Sequence, residues 1–253
     1  VIRTAGTDVA TIERIGHAEA MRLTTAENQA FAACLASLAR DDWTRPTDCD
    51  RWDVRQVVAH VVGAAAAQAS IREFARQVRA GRPVVAELGS EHWWDGMNEI
   101  QVRERQGAGP TDLMAEWDRV ADRAHRARAR LPRPLARLPL LDLPAPVGRQ
   151  PLAYLFDMGF TRDVWMHRID IGHATGRAPL MTAHHDGRIL ADIVAEWAAT
   201  HGEPFTLVLH GPAGGTFRAG STGPTVETDV VDFCRHLTGR ATTTGLLAHP
   251  LPL

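Results

Sequence analysis

The sequence predicts a helix bundle followed by a small α+β domain, on three observations. Four long stretches carry apolar residues at helical spacing. A connector with six prolines, residues 132–151, separates the last of them from the rest. After Arg177 the chain turns to short strands punctuated by Gly and Pro, flanked by two more helices. A hydrophobic content of 45% against 23% charged is that of a folded globular chain, so these apolar faces have a core to enter.

Residues 1–20 show little pattern and read as a loose segment. From Thr25 to Arg40, Ala30, Phe31, Cys34, Leu35 and Leu38 recur at helical spacing, and the turn-rich stretch Asp41–Asp50 ends that helix. Asp53 followed by Gln56 forms a capping box, each side chain meeting the other residue's backbone N–H. The helix it opens is expected to run to about Arg79, with Gly81 as its stop. Val54, Val57, Val58, Val61 and Val62 form one broad stripe on it. His60 lies off the centre of that stripe, beside Gln56, Gly63, Ala64 and Ala67. Periodicity alone does not bury His60, but its small neighbours leave room for another helix to come close.

Met97–Arg105 starts a further helix, interrupted near Gly107–Pro110, and Thr111 is expected to cap the next, which carries Leu113, Trp117, Val120 and Ala121. Seven arginines between Arg119 and Arg137 follow. They read as a solvated helix end favoured by the helix dipole, or as an anion site. After the proline-rich connector, the last bundle helix spans Leu152 to His173 and ends at Gly176. Beyond it come a helix over Asp186–Thr200, strands in FTLVLHG, GGTFRAG and TVETD, and a helix over Val230–Leu237. A bundle over residues 1–178 and a small domain over 179–253 are expected.

The Leu152–His173 helix holds the sharpest signal. At 100° per residue, Asp163, His167 and Asp170 fall within about 60° of one another, on the stripe that also carries Leu152, Phe156 and Phe160. Ionisable groups on an apolar face are costly unless they pair or bind something charged. Asp163 and His167 are therefore either a local pair or two ligands of one metal ion.

Several classes are excluded. A net charge of −2 gives no general attraction to nucleic acid or an anionic membrane. Cys34, Cys49 and Cys234 lack the spacing of a disulfide framework or a cysteine zinc site. No apolar run approaches the ~18 residues of a membrane span, and the first residues lack a signal peptide's apolar centre, so a cytoplasmic protein is expected. No phosphate loop, dinucleotide fingerprint or Ser-His-Asp order is present.

Three motifs carry a family resemblance. WDVRQVVAHVVG resembles the signature that opens the second helix of DinB-like four-helix bundles, DVWMHRIDIGHATGR resembles that superfamily's acidic-x-x-x-His motif on the fourth helix, and GMNEIQVRER resembles the stretch between them. The strands and the terminal HLTGR are similar to the small sterol-carrier-like C-terminal domain of the mycothiol-dependent maleylpyruvate isomerase group. The resemblance implies a divalent metal, most often zinc, on His60, Asp163 and His167. It implies a low-molecular-weight thiol such as mycothiol as cosubstrate, with Asn98, Gln101 and Arg103 facing the pocket and Arg240 supplying an arginine needed for activity. Where the isomerases have Glu, this chain has Asp163, shorter by one methylene. The implied function is thiol-dependent isomerisation or sulfur transfer on a small, carboxylate-bearing electrophile. Its partners would be small molecules rather than nucleic acid or membrane, and the protein a monomer or homodimer. The other reading is a binding module, with the bundle as scaffold for an apolar ligand or a protein partner.

Overall fold

Asp53 opens the central helix as its sequence requires: its carboxylate accepts the Gln56 backbone N–H at 2.8 Å, and the Gln56 side chain accepts the Asp53 N–H at 2.9 Å. In the computed structural model, which describes residues 6–251, that helix is α2 (Val54–Ala69). It does not continue to Arg79. Ser70 turns out of helical geometry (φ −154°, ψ 118°), its side chain accepts the Glu73 N–H, and a new helix, α3 (Ile71–Leu88), begins. Gly81 lies inside α3 rather than ending it. A Cβ there would stand 2.6 Å from the backbone of Gly96 on α4 (Trp93–Arg103), so the missing side chain is what lets two backbones touch. The stop is Gly89, in the left-handed conformation at φ 63°.

Contacts divide the chain into two compact units that do not follow one cut near residue 178. One comprises residues 20–136 and 163–179, the other residues 1–19, 137–162 and 180–253.

The first unit is the bundle. Helices α1 (His17–Ser37), α2, α5 (Pro110–Ala129) and α7 (Phe160–Thr175) contribute Phe31, Leu35, Val57, Val58, Val61, Leu113, Trp117, Val164 and Ile171 to one buried core. Each such side chain contributes about 1.5–3 kcal/mol on burial. Helices α3 and α4 pack on each other and on α2. Helix α1 starts at His17, eight residues before the expected Thr25. Helix α5 is capped at Gly109, not Thr111: Pro110 takes the first helical position, where its lacking N–H costs nothing, and Asp112 accepts the Gly109 N–H. A buried ion pair joins α1 to α7, with Arg168 donating to both Glu27 oxygens at 2.8 and 3.0 Å.

In the second unit residues 6–16 are not loose; residues 1–5 of that expected segment lie outside the described residues. Thr7–Asp8 forms β1, parallel to β5 (Gly215–Ala219), and the sheet runs β1-β5-β4-β6 with β4 at Phe205–His210 and β6 at Thr225–Asp229. Strand β5 is antiparallel and β6 parallel to β4. The short return from β5 to β6 passes over Pro204, where Gly223 (φ 129°) would bring a Cβ to 2.1 Å from a carbonyl oxygen. Helices α8 (Asp186–His201) and α9 (Val230–Leu237) cover the sheet, and Trp197 packs with Phe205 and Phe233 at ring distances of 5.0 and 5.4 Å. The proline-rich stretch is not simply extended. It holds a short helix, α6 (Arg133–Ala136), and a hairpin of β2 (Leu141–Asp142) with β3 (Arg149–Gln150). A wide π-type turn, Tyr154–Gly159, precedes α7, which therefore begins at Phe160 rather than Leu152. Among the described residues, no helix is long and apolar enough to cross a membrane.

Candidate metal centre

Helices α2 and α7 bring His60, Asp163 and His167 together. The i, i+4 spacing puts Asp163 and His167 on one face of α7, and His60, two turns into α2, points at the same place. The Asp163 Oδ1 atom stands 3.7 Å from His60 Nε2 and 3.5 Å from His167 Nε2. These separations exceed hydrogen-bond lengths. They are near the separation of ligand atoms at the corners of a tetrahedron around an ion about 2.0–2.2 Å from each, which lie about 3.3–3.6 Å apart.

The far side of each ring is bound at true hydrogen-bond length, which decides where the ring protons sit. His60 Nδ1 meets Gln101 Oε1 at 2.7 Å, and Gln101 Nε2 donates to Gln77 Oε1 at 2.8 Å. The Gln77 amide donates in turn to the Gly63 carbonyl at 3.1 Å and to Glu73 Oε1 at 2.9 Å. A carbonyl and a carboxylate can only accept, so both amide orientations follow and His60 Nδ1 must carry hydrogen. In the neutral ring this leaves the Nε2 lone pair aimed at the centre. Likewise His167 Nδ1 donates to Asp170 Oδ2 at 2.9 Å, and the Cys49 thiol donates to the same oxygen at 3.5 Å. Such outer partners are what ligating histidines use to hold ring orientation.

The centre is largely dry. His60, His167 and Asp170 are buried, while Asp163 keeps 28% of its side chain exposed, so solvent reaches the centre past the carboxylate. Trp52 stacks on His60 with ring centres 5.0 Å apart, and the two imidazoles meet edge to face at 4.9 Å. Burial pushes the Asp163 carboxyl up, but the two imidazoles overcome this and hold it well below the usual carboxylate range. Burial likewise opposes the charged His167, yet Asp163, Asp170 and Cys49 raise its pKa well above the ordinary imidazole value. An anionic carboxylate thus lies between two imidazole rings, an arrangement that suits a bound cation.

The remaining sequence candidates fall elsewhere. Gln101 is fully buried and hydrogen-bonded to His60 and Gln77. Arg103 is exposed and paired with Glu87 and Glu99 at 2.8 and 2.9 Å, on the solvent side of α4. Asn98 is partly exposed on the same helix. Arg240 is half-buried in the other unit, just after α9, where its backbone N–H closes on Arg235. His173 is a surface residue paired with Asp48. Sequence reasoning missed Trp52, Cys49, Gln77 and Glu73. Trp52 borders the capping box, but nothing local marks the other three.

The profile of the mycothiol maleylpyruvate isomerase N-terminal domain matches residues 24–172. Two crystal structures resemble most of the chain, that of the mycothiol-dependent maleylpyruvate isomerase and that of its histidine-to-alanine mutant. Their identities are 18% and 17% and their TM-scores 0.56 and 0.55, each alignment covering 89% of this chain and 90% of that one. No curated protein sequence matches.

Proposed function

This chain belongs to the family of the mycothiol maleylpyruvate isomerase N-terminal domain, and we propose that it is a metal-dependent enzyme using a low-molecular-weight thiol, mycothiol or a close analogue. Its reaction is isomerisation or sulfur transfer on a small electrophile, in the cytoplasm, where such thiols are kept reduced. One observation carries this reading: His60, Asp163 and His167 are spaced as ligands, while Gln101 and Asp170 occupy the far nitrogens.

Two imidazoles and one carboxylate are a donor set that catalytic zinc sites use; His60, Asp163 and His167 would hold such an ion, whose positive charge would favour the thiolate of the cosubstrate at neutral pH. Gln101 and Asp170 hold the Nδ1 hydrogens, which turns both Nε2 atoms towards Asp163; a bound cation would take the place of the proton that Asp163 and Asp170 favour on His167. Trp52 covers the His60 ring and excludes water from that side. The partly exposed Asp163 edge is where the cosubstrate enters. For a cis-alkene substrate, the thiolate forms a C–S bond and the π pair moves to the adjacent carbon. Rotation about the resulting single bond and loss of the same thiolate then give the trans product.

Elemental analysis of the purified protein and of His167→Ala tests the reading, together with a thiol-dependent screen using maleylpyruvate and a chloronitrobenzene. Near-stoichiometric divalent metal that is lost in the variant, with turnover requiring both metal and thiol, is the expected result. Metal content unchanged by His167→Ala, or turnover independent of metal, overturns it; absence of both metal and turnover favours the binding-module alternative.

A further inference from the structure

The second unit contains a cavity of about 850 Å³ that the metal chemistry does not use. One face of α8 lines it through Asp192, Ala195, Glu196 and Ala199, at i, i+3, i+4 and i+7, and aliphatic groups such as Ile12, Val147 and Met158 form other walls. Its size is in the range of small-molecule sites, which are mostly apolar with a few placed polar groups.

Charge sets the class of guest. Among the described residues, four carboxylates line the cavity (Asp157, Asp192, Glu196 and Glu203) against two guanidiniums, Arg14 and Arg162. Two nitrogens of the buried Arg162 guanidinium are committed within the wall, donating to Glu196 Oε2 at 2.6 Å and Asp192 Oδ2 at 2.7 Å, while its Nε is buried with no hydrogen-bond partner among the described residues. The Tyr154 hydroxyl donates to the other Glu196 oxygen at 2.6 Å. That leaves Asp192 Oδ1 without a hydrogen bond among the described residues, on a side chain only 13% exposed. A carboxylate oxygen in a half-dry, net negative, apolar-walled cavity is complementary to an ammonium and unfavourable to a second anion.

We propose that this cavity is a binding site for a small organic cation, an apolar body bearing a primary or secondary ammonium that pairs with Asp192. The site is separate from the metal centre and does not depend on the function proposed above.

Fluorescence titration with a matched pair of probes tests it: dansylcadaverine, which ends in an ammonium, and dansyl-aminohexanoate, which ends in a carboxylate on a tether of similar length. Saturable binding of the ammonium probe, at least about tenfold tighter than the carboxylate probe, is expected. Asp192→Asn should bring the two within about threefold, since it removes the charge but keeps an acceptor for Arg162. Ala199→Trp, on the exposed edge of the cavity, should abolish binding of both. Absence of saturable binding, equal affinity for the two probes, discrimination retained in Asp192→Asn, or binding that survives Ala199→Trp each overturns the proposal.

Discussion

Gln101 Oε1 accepts the Nδ1 hydrogen of His60 at 2.7 Å, between two side chains that are both buried. The bond joins α4 to α2 and is the first link of a chain through Gln77 to Glu73. Removing an outer partner of a ligating histidine typically costs about 10–100-fold in metal affinity. Gln101→Ala is therefore expected to weaken binding by that factor while the three ligands remain, measured by competition with a chromophoric chelator.

Asp163 is the proposed ligand at which this chain departs from the motif of the isomerases it resembles. Asp163→Ala should eliminate stoichiometric metal in elemental analysis, because only two neutral nitrogens then face the ion. Asp163→Glu keeps the charge with one more methylene and should retain metal. Equal metal content in wild type and Asp163→Ala would falsify the ligand assignment.

Gly63 shows how closely the outer shell is packed. A Cβ there would lie 2.5 Å from Gln101 Cβ, so Gly63→Ala must displace the side chain that holds His60. The expected result is a loss of about 1–3 kcal/mol in urea unfolding together with weaker metal binding. Gly96→Ala, whose Cβ would meet Gly81 at 2.2 Å, should lower stability similarly but have the smaller effect on metal.

The Glu27–Arg168 pair is almost fully buried. Glu27→Ala leaves that guanidinium without its carboxylate and should destabilise the bundle by about 3–5 kcal/mol. The double substitution Glu27→Leu with Arg168→Met should recover most of this, because an apolar pair replaces the ions without leaving either charge behind. Denaturant midpoints of the three proteins are the measurement.

Glu73 anchors the far end of the glutamine chain. The hydrogen bond from Arg76 lowers its pKa to about 2, outweighing the opposing desolvation, with Gln77 adding to the shift. Between that value and the ordinary 4.5 the unfolded state binds more protons than the folded one. The stabilisation is thus present in full above about 4.5 and lost as pH falls towards 2. Unfolding midpoints between neutral pH and the onset of acid unfolding should decline less steeply for Glu73→Gln than for wild type.

Local chemistry determined much of this molecule. The Asp53–Gln56 box, the limits of α9 and the three C-terminal strands follow from caps, turns and alternation that act within a few residues, and all are found as the sequence predicts. The break at Ser70 was also written locally, as Ser-x-x-Glu, but a continuous apolar pattern across it hides the cap. The pairing of Asp163 with His167 was legible from helical spacing, and the small residues beside His60 announced a close neighbour.

Tertiary structure alone decided the rest. Strand β1 is two residues long and exists because β5 offers an edge. Gly81 continues a helix because another backbone fills the space of its side chain. Gln101 became a histidine's partner because α4 crosses α2 at Gly63. The three candidate ligand atoms and their outer partners come from three helices far apart in sequence. Spacing along one helix can place two groups on a face, but only packing brings a third to ligand distance and determines which nitrogen it presents.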